Sequence, residues 1–109
     1  MKRVVVTGMA GITSLGETAD QIFAQFEQGS SGIRYMPEWE QFTDLRSKLA
    51  GPVASYTVPK HFNRKVTRGM GRVALMSTVC AEKALEDAAL LNDPILSNGQ
   101  TGVAFGSSA

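Results

Sequence analysis

Apolar positions fall into three kinds of pattern along this chain. Arg3-Val4-Val5-Val6-Thr7 is a continuous β-branched run, which predicts a strand buried on both faces, as in parallel sheets. A glycine-rich turn follows, with Gly8, Gly11 and Gly16. A helix is then well signalled. Thr18 stands three residues before Gln21 at capping-box spacing, and Asp20 lies in the first turn. Ala19, Ile22, Phe23 and Phe26 repeat at helical spacing, and Gly29 supplies a left-handed stop.

Residues 30 to 59 hold no sustained period and are punctuated by Gly32, Pro37, Gly51, Pro52 and Pro59. Trp39, Phe42 and Leu45 are spaced for one helical turn, and Lys48 to Ser55 for a short edge strand. So long a stretch is read as an elaboration with order of its own. The strongest helical signal runs from about Arg64 to Leu91. Its apolar positions are mostly small, including Ala74, Cys80, Ala81, Ala84, Ala88 and Ala89, which predicts a long helix buried over most of its surface. Gly69 and Gly71 weaken its start by about 1 kcal/mol each against alanine. Asn92 and Pro94 mark its end, and Asn98-Gly99 makes a turn. Thr101 to Phe105 reads as a second buried strand, running into Gly106-Ser107-Ser108-Ala109.

The order strand, helix, elaboration, long buried helix, strand predicts an α/β fold with parallel strands and a right-handed crossover. Two strands are marginal as a sheet. Residues 1–109 are therefore read as one incomplete N-terminal portion of a larger domain, with at most one hydrophobic core.

Composition narrows the function classes. Apolar residues are 43% and charged residues 19%, which excludes a disordered chain. The net charge of +1 supplies no bulk attraction to nucleic acid or an anionic membrane. No run approaches the length of a membrane span. A single cysteine excludes an internal disulfide framework and a multi-cysteine zinc site. The lone thiol and the lack of a signal-peptide core fit a reducing cytoplasm. One histidine, His61, excludes a site in this chain that needs two imidazoles.

Several residues invite chemistry. The first strand and its glycine turn raise a nucleotide-binding α/β module, but glycines at 8, 11 and 16 do not make G-x-G-x-x-G. Cys80 is the one thiol nucleophile, but mid-helix its surrounding N–H groups are already bonded, so it reads as a packing residue. His61 lacks partners at ligand spacing and reads as a surface or helix-start histidine; no metal is expected. The basic positions are more informative. Arg64, Arg68 and Arg72 recur every four residues, which places them on one helix face, with Lys60 and Lys65 beside them. No acidic residue interrupts positions 60 to 81. The stripe is either a solvated face or a docking surface for an acidic partner.

Taken together, Val4-Val5-Val6-Thr7-Gly8-Met9 with Gly16, Gln28-Gly29-Ser30-Ser31-Gly32-Ile33, Arg68-Gly69-Met70, and Gly102-Val103-Ala104-Phe105-Gly106-Ser107-Ser108 resemble, in order, landmarks of the β-ketoacyl-acyl-carrier-protein synthases. These are condensing enzymes of thiolase fold. The resemblance covers the whole chain and implies a decarboxylative Claisen condensation, in which an acyl thioester on a cysteine is attacked by the carbanion from malonyl-carrier protein. It implies acyl carrier protein as partner, a homodimer or heterodimer as the full-length form, and no cofactor. The family's cysteine and two histidines lie past residue 109, so none of the catalytic residues is expected in this chain. The family's carrier-docking cations fall on Lys65 and Arg68. A third often-basic position falls on Gly69, and Arg64 or Arg72 are expected to compensate. A residue at the edge of the acyl pocket falls on Ala109. A carrier-binding module without catalysis is the alternative, beside the nucleotide-binding module already weighed.

Overall fold

A computed structural model of the chain describes residues 1–108. The chain divides into two compact units, Gly11–Thr57 and Met1–Ala10 together with the residues from Val58 onward.

In Gly11–Thr57, the helix expected after the glycine turn is α1, Ala19–Glu27. The Thr18 hydroxyl accepts the Gln21 N–H at 3.2 Å, and the Gln21 side chain reaches back to accept the Glu17 N–H at 2.9 Å. The capping box thus closes one residue earlier than its standard form. At the other end Gly29 takes φ +67°. The Gly29 N–H donates to Phe26 and the Ser30 N–H to Gln25, the paired bonds of a Schellman cap. The expected apolar face is largely uncovered: Phe23 and Phe26 are exposed and meet edge to face, with centroids 6.2 Å apart.

The elaboration does have its own order. Arg34–Tyr35 (β1) pairs antiparallel with Leu49–Ala50 (β2), in the register Arg34 to Ala50 and Tyr35 to Leu49. Between them Pro37–Gln41 forms a 3₁₀ helix, entered through proline at its first position. The predicted edge strand is thus two residues long, and the helical turn sits slightly earlier than Trp39-Phe42-Leu45. Lys48 Nζ reaches Glu40 Oε2 at 3.0 Å across the loop. Met36, 7% exposed, is the buried apolar side chain of this unit. Glu17 clasps its far end: its carboxylate accepts the Thr57 N–H at 2.5 Å and the Thr57 hydroxyl at 2.9 Å.

The second unit corrects the long-helix expectation. Arg64–Thr67 (α2) is a single turn capped by the Asn63 carboxamide oxygen, which accepts from Lys65 and Val66. Arg72–Asp87 (α3) then starts afresh at Gly71. Two glycines within three residues break the helix rather than merely weakening it, because each forgoes about 1 kcal/mol of helix propensity at its start. Nor is α3 buried over most of its surface. Val79 is fully buried, while the small residues beside it are half-buried. The helix also ends before Asn92. Ala89 takes φ +56°, the Ala89 N–H donates to Glu86 and the Leu90 N–H to Leu85. This is the same Schellman geometry as in α1, with alanine where glycine is usual. Asp93 then caps the 3₁₀ helix Pro94–Leu96.

The N-terminal segment lies against the last turn of α3. A Cβ on Gly8 would fall 2.6 Å from the Ala88 nitrogen, so only glycine fits that approach. The neighbouring Met9 N–H donates to Asp87 Oδ2 at 2.8 Å. The two predicted strands are a further correction. Residues 3–7 and 101–105 make no strand ladder among the described residues; the antiparallel β1–β2 pair belongs to the elaboration instead. Val4 is 95% exposed and Val103 82%. A strand is ordered by the neighbours it bonds, and parallel strands additionally need helices on both faces. α3 stands beside both runs, but the described residues supply neither of them with a bonded strand neighbour. The fold described is therefore mixed helix with few strands.

Ala89→Gly should stabilise the protein by about 0.5–1 kcal/mol. The gain is the relief of about 1–2 kcal/mol of left-handed strain, less the extra unfolded-state freedom of glycine. A denaturant midpoint that rises at unchanged slope checks it, and a lowered midpoint would mean the alanine is there for its contacts.

Candidate functional site

The cations singled out by spacing gather around α2. Lys60, Arg64, Lys65, Arg68 and Arg72 are all exposed. The helix break changes their arrangement. Arg68 is the C-cap of α2 and Arg72 the first residue of α3, so the three arginines do not share one helix face. Arg64 and Arg68 still do, because Arg68 keeps helical backbone (φ −57°, ψ −25°) and its N–H donates to the Arg64 carbonyl at 3.0 Å. Lys65 projects from the same short turn. Among the described residues Arg64, Lys65 and Arg68 form no ion pair. The turn that carries them is held by the Asn63 cap on one side and by the Met70 N–H bond to the Thr67 carbonyl on the other.

His61 has a partner that sequence spacing did not reveal. Its Nε2 lies 2.7 Å from Glu82 Oε2, and its ring stands 4.6 Å from that of Phe62. This contact spans 21 residues and ties the basic loop to α3. Glu82, the first acidic residue after the acid-free stretch, is taken up by His61. A carboxylate so far along the chain carries no local signal that it belongs to this site.

Cys80 is half-buried in the interior of α3. The N–H groups around it belong to the helix ladder, so no pair of free donors is available to hold an oxyanion. Among the described residues no group of histidine, cysteine and carboxylate side chains stands close enough to hold a metal. Beside α3 an apolar groove of about 430 Å³ is lined by Thr7, Ala81, Ala84, Leu85, Ala88 and Val103. Ala109, the expected edge of an acyl pocket, lies outside the described residues.

A model of the family described as beta-ketoacyl synthase, N-terminal domain, matches residues 1–109. The chain belongs to the beta-ketoacyl synthase family. It is 36% identical over 106 residues to 3-oxoacyl-acyl-carrier-protein synthase 1 of Haemophilus influenzae, covering 97% of this chain and 25% of that protein. With the enzyme of the same name from Escherichia coli K12 it shares 31% identity over 107 residues, covering 98% of this chain and 26% of that one. The crystal structure of a beta-ketoacyl synthase from Burkholderia phymatum superimposes with a TM-score of 0.89 at 44% identity, over 99% of this chain and 26% of the other. This beta-ketoacyl synthase segment thus spans about a quarter of the length of the relatives it matches. The match runs through the first glycine turn.

Cys80 of the synthase segment should take up no acyl group when the folded protein meets an acyl thioester, because it has no oxyanion donors beside it. Intact-mass and peptide mass spectrometry check this, and an adduct on Cys80 would overturn the packing role.

Proposed function

We propose that the protein carrying this segment is a 3-oxoacyl-acyl-carrier-protein synthase of thiolase-like fold. The observation that carries the reading is the family match over residues 1–109, joined by 44% identity to a solved beta-ketoacyl synthase. In the proposed reaction an acyl group sits on an active-site cysteine as a thioester. Malonyl on a carrier protein loses carbon dioxide, the resulting carbanion attacks the thioester carbonyl, and the cysteine leaves as thiolate. The product is a 3-oxoacyl chain on the carrier.

The chemistry is assigned to the remainder of the synthase. This segment has one histidine, tied to Glu82, and one cysteine, set inside a helix. Its part is support and recognition. Val4, Val5, Val6, Val103 and Phe105 are exposed here and are proposed to be covered as strands of the complete sheet. The full-length protein is proposed to be a homodimer or heterodimer in the cytoplasm; no helix among the described residues is long and apolar enough to cross a membrane.

The α2 cations are proposed to dock the acidic acyl carrier protein, with Lys65 and Arg68 as the principal contacts and Arg64 and Arg72 extending them. Three exposed cations without ion pairs on a capped turn support this, since such a cluster raises the local concentration of an anionic partner without being neutralised first. Exposed charge pairs contribute about 0.2–1 kcal/mol each, so Arg68→Ala alone is a weak test. Lys65→Glu with Arg68→Glu adds repulsion. In the full-length enzyme this double variant should raise KM for carrier-bound substrate, more so at low salt, and largely spare turnover of an acyl-coenzyme A. Equal losses on both substrates would make the cluster structural. Absence of any condensation by the wild type would overturn catalysis and leave the carrier-binding module.

Ala109 is proposed to edge the acyl pocket. Ala109→Ile should then cost about 1–3 kcal/mol of overpacking with long acyl donors only. An unchanged chain-length profile would remove Ala109 from the pocket.

A further inference from the structure

We propose that Asn98 is a site of spontaneous covalent modification, at which the side-chain amide is converted to aspartate and isoaspartate through a cyclic imide formed with the Gly99 nitrogen. Asn98 and Gly99 are exposed and belong to the turn that follows the 3₁₀ helix Pro94–Leu96. Asn98 Oδ1 accepts the Gln100 N–H at 3.0 Å. That bond folds the side chain back along its own backbone as an Asx-turn, with the Gly99 peptide enclosed between the two residues it joins. The nucleophile is unencumbered. Among the described residues the Gly99 N–H donates to no acceptor. Gly99 has φ +83°, and a Cβ built there would meet nothing within 4 Å. Glycine therefore leaves both faces of the nitrogen open and lets the backbone swing into the attacking geometry.

The step balances without a cofactor. The Gly99 nitrogen gives up its proton to solvent and bonds to Asn98 Cγ. The Cγ–Nδ2 bond breaks, and Nδ2 leaves as ammonia after taking up a proton. Water then opens the five-membered imide. Attack at Cγ yields aspartate, and attack at the main-chain carbonyl yields isoaspartate. The net change is water in and ammonia out, with no oxidation or reduction.

The chain's two other asparagines are internal controls. Asn63 also accepts backbone N–H groups, from Lys65 and Val66, but Arg64 follows it at the start of α2. Asn92 is followed by Asp93, whose N–H is held by the Leu90 carbonyl at 2.9 Å. Each has a substituted residue next in the chain, and each neighbour is ordered. Asn98 alone combines a folded-back amide with an open glycine nitrogen. The product puts a negative charge in this turn, and isoaspartate adds one backbone atom to the loop that the Thr101 hydroxyl closes on the Ile95 carbonyl at 2.7 Å.

The test holds the full-length protein at mildly alkaline pH for several weeks. Peptide mass spectrometry then locates the amide-to-acid change, and enzymatic methylation quantifies isoaspartate. Asn98 should convert faster than Asn63 and Asn92 by on the order of tenfold, the factor of a barrier lower by about 1.4 kcal/mol. Asn98→Gln should abolish the isoaspartate signal without disturbing Gly99, and Gly99→Ala should slow conversion by on the order of tenfold. Conversion of Asn98 no faster than that of Asn63 and Asn92 in the wild-type protein would overturn the proposal, whatever the variants do.

Discussion

The Met9 N–H bond to Asp87 Oδ2 closes a loop of 78 residues at 2.8 Å, and the unit around α3 is organised by it. It works only because Gly8 lets the N-terminal backbone come within van der Waals contact of the Ala88 backbone. The turn it meets is itself fixed by the Schellman bonds of Ala89 and Leu90. One short segment is thereby pinned against a capped helix end, which sets where residues 3–7 lie within that unit. A long-range contact of this kind has to overcome the entropy of closing its loop, so several weak terms converge on one spot: a hydrogen bond, a close backbone approach and a double-bonded cap.

The second organising feature is the interruption at Gly69-Met70-Gly71. An unbroken helix from Arg64 would have presented a linear basic stripe. The break instead confines Arg64, Lys65 and Arg68 to one capped turn and hands Arg72 to the next helix. Charge clustered on a short turn presents a compact positive spot, and each exposed pair formed there is weak and screened by salt. The His61–Glu82 contact holds that spot to α3, which gives the cations a fixed platform.

Among the described residues burial is confined to Met36 and Val79, one in each unit, while Val4–Val6, Val103 and Phe105 stand in solvent. The chain covers 26% of the solved synthase that it superimposes on with a TM-score of 0.89. Its backbone thus follows that of a far larger protein. The apolar runs have the composition of interior strands and lack the interior within these residues.

The sequence by itself determined what depends on near neighbours. Thr18 and Gln21 capped α1, Gly29 ended it, and Asn98-Gly99 turned, because capping and turn chemistry act over three or four residues. The family landmarks in register were legible for the same reason. Tertiary structure decided the rest. Ala89 in a glycine's conformation ended α3 without a compositional sign, the β1–β2 pair joined residues some fifteen positions apart, and Glu82 reached His61 across 21. Whether Val4–Val6 and Val103 become strands was likewise not theirs to settle, since a strand exists only with the partner that takes up its backbone hydrogen bonds.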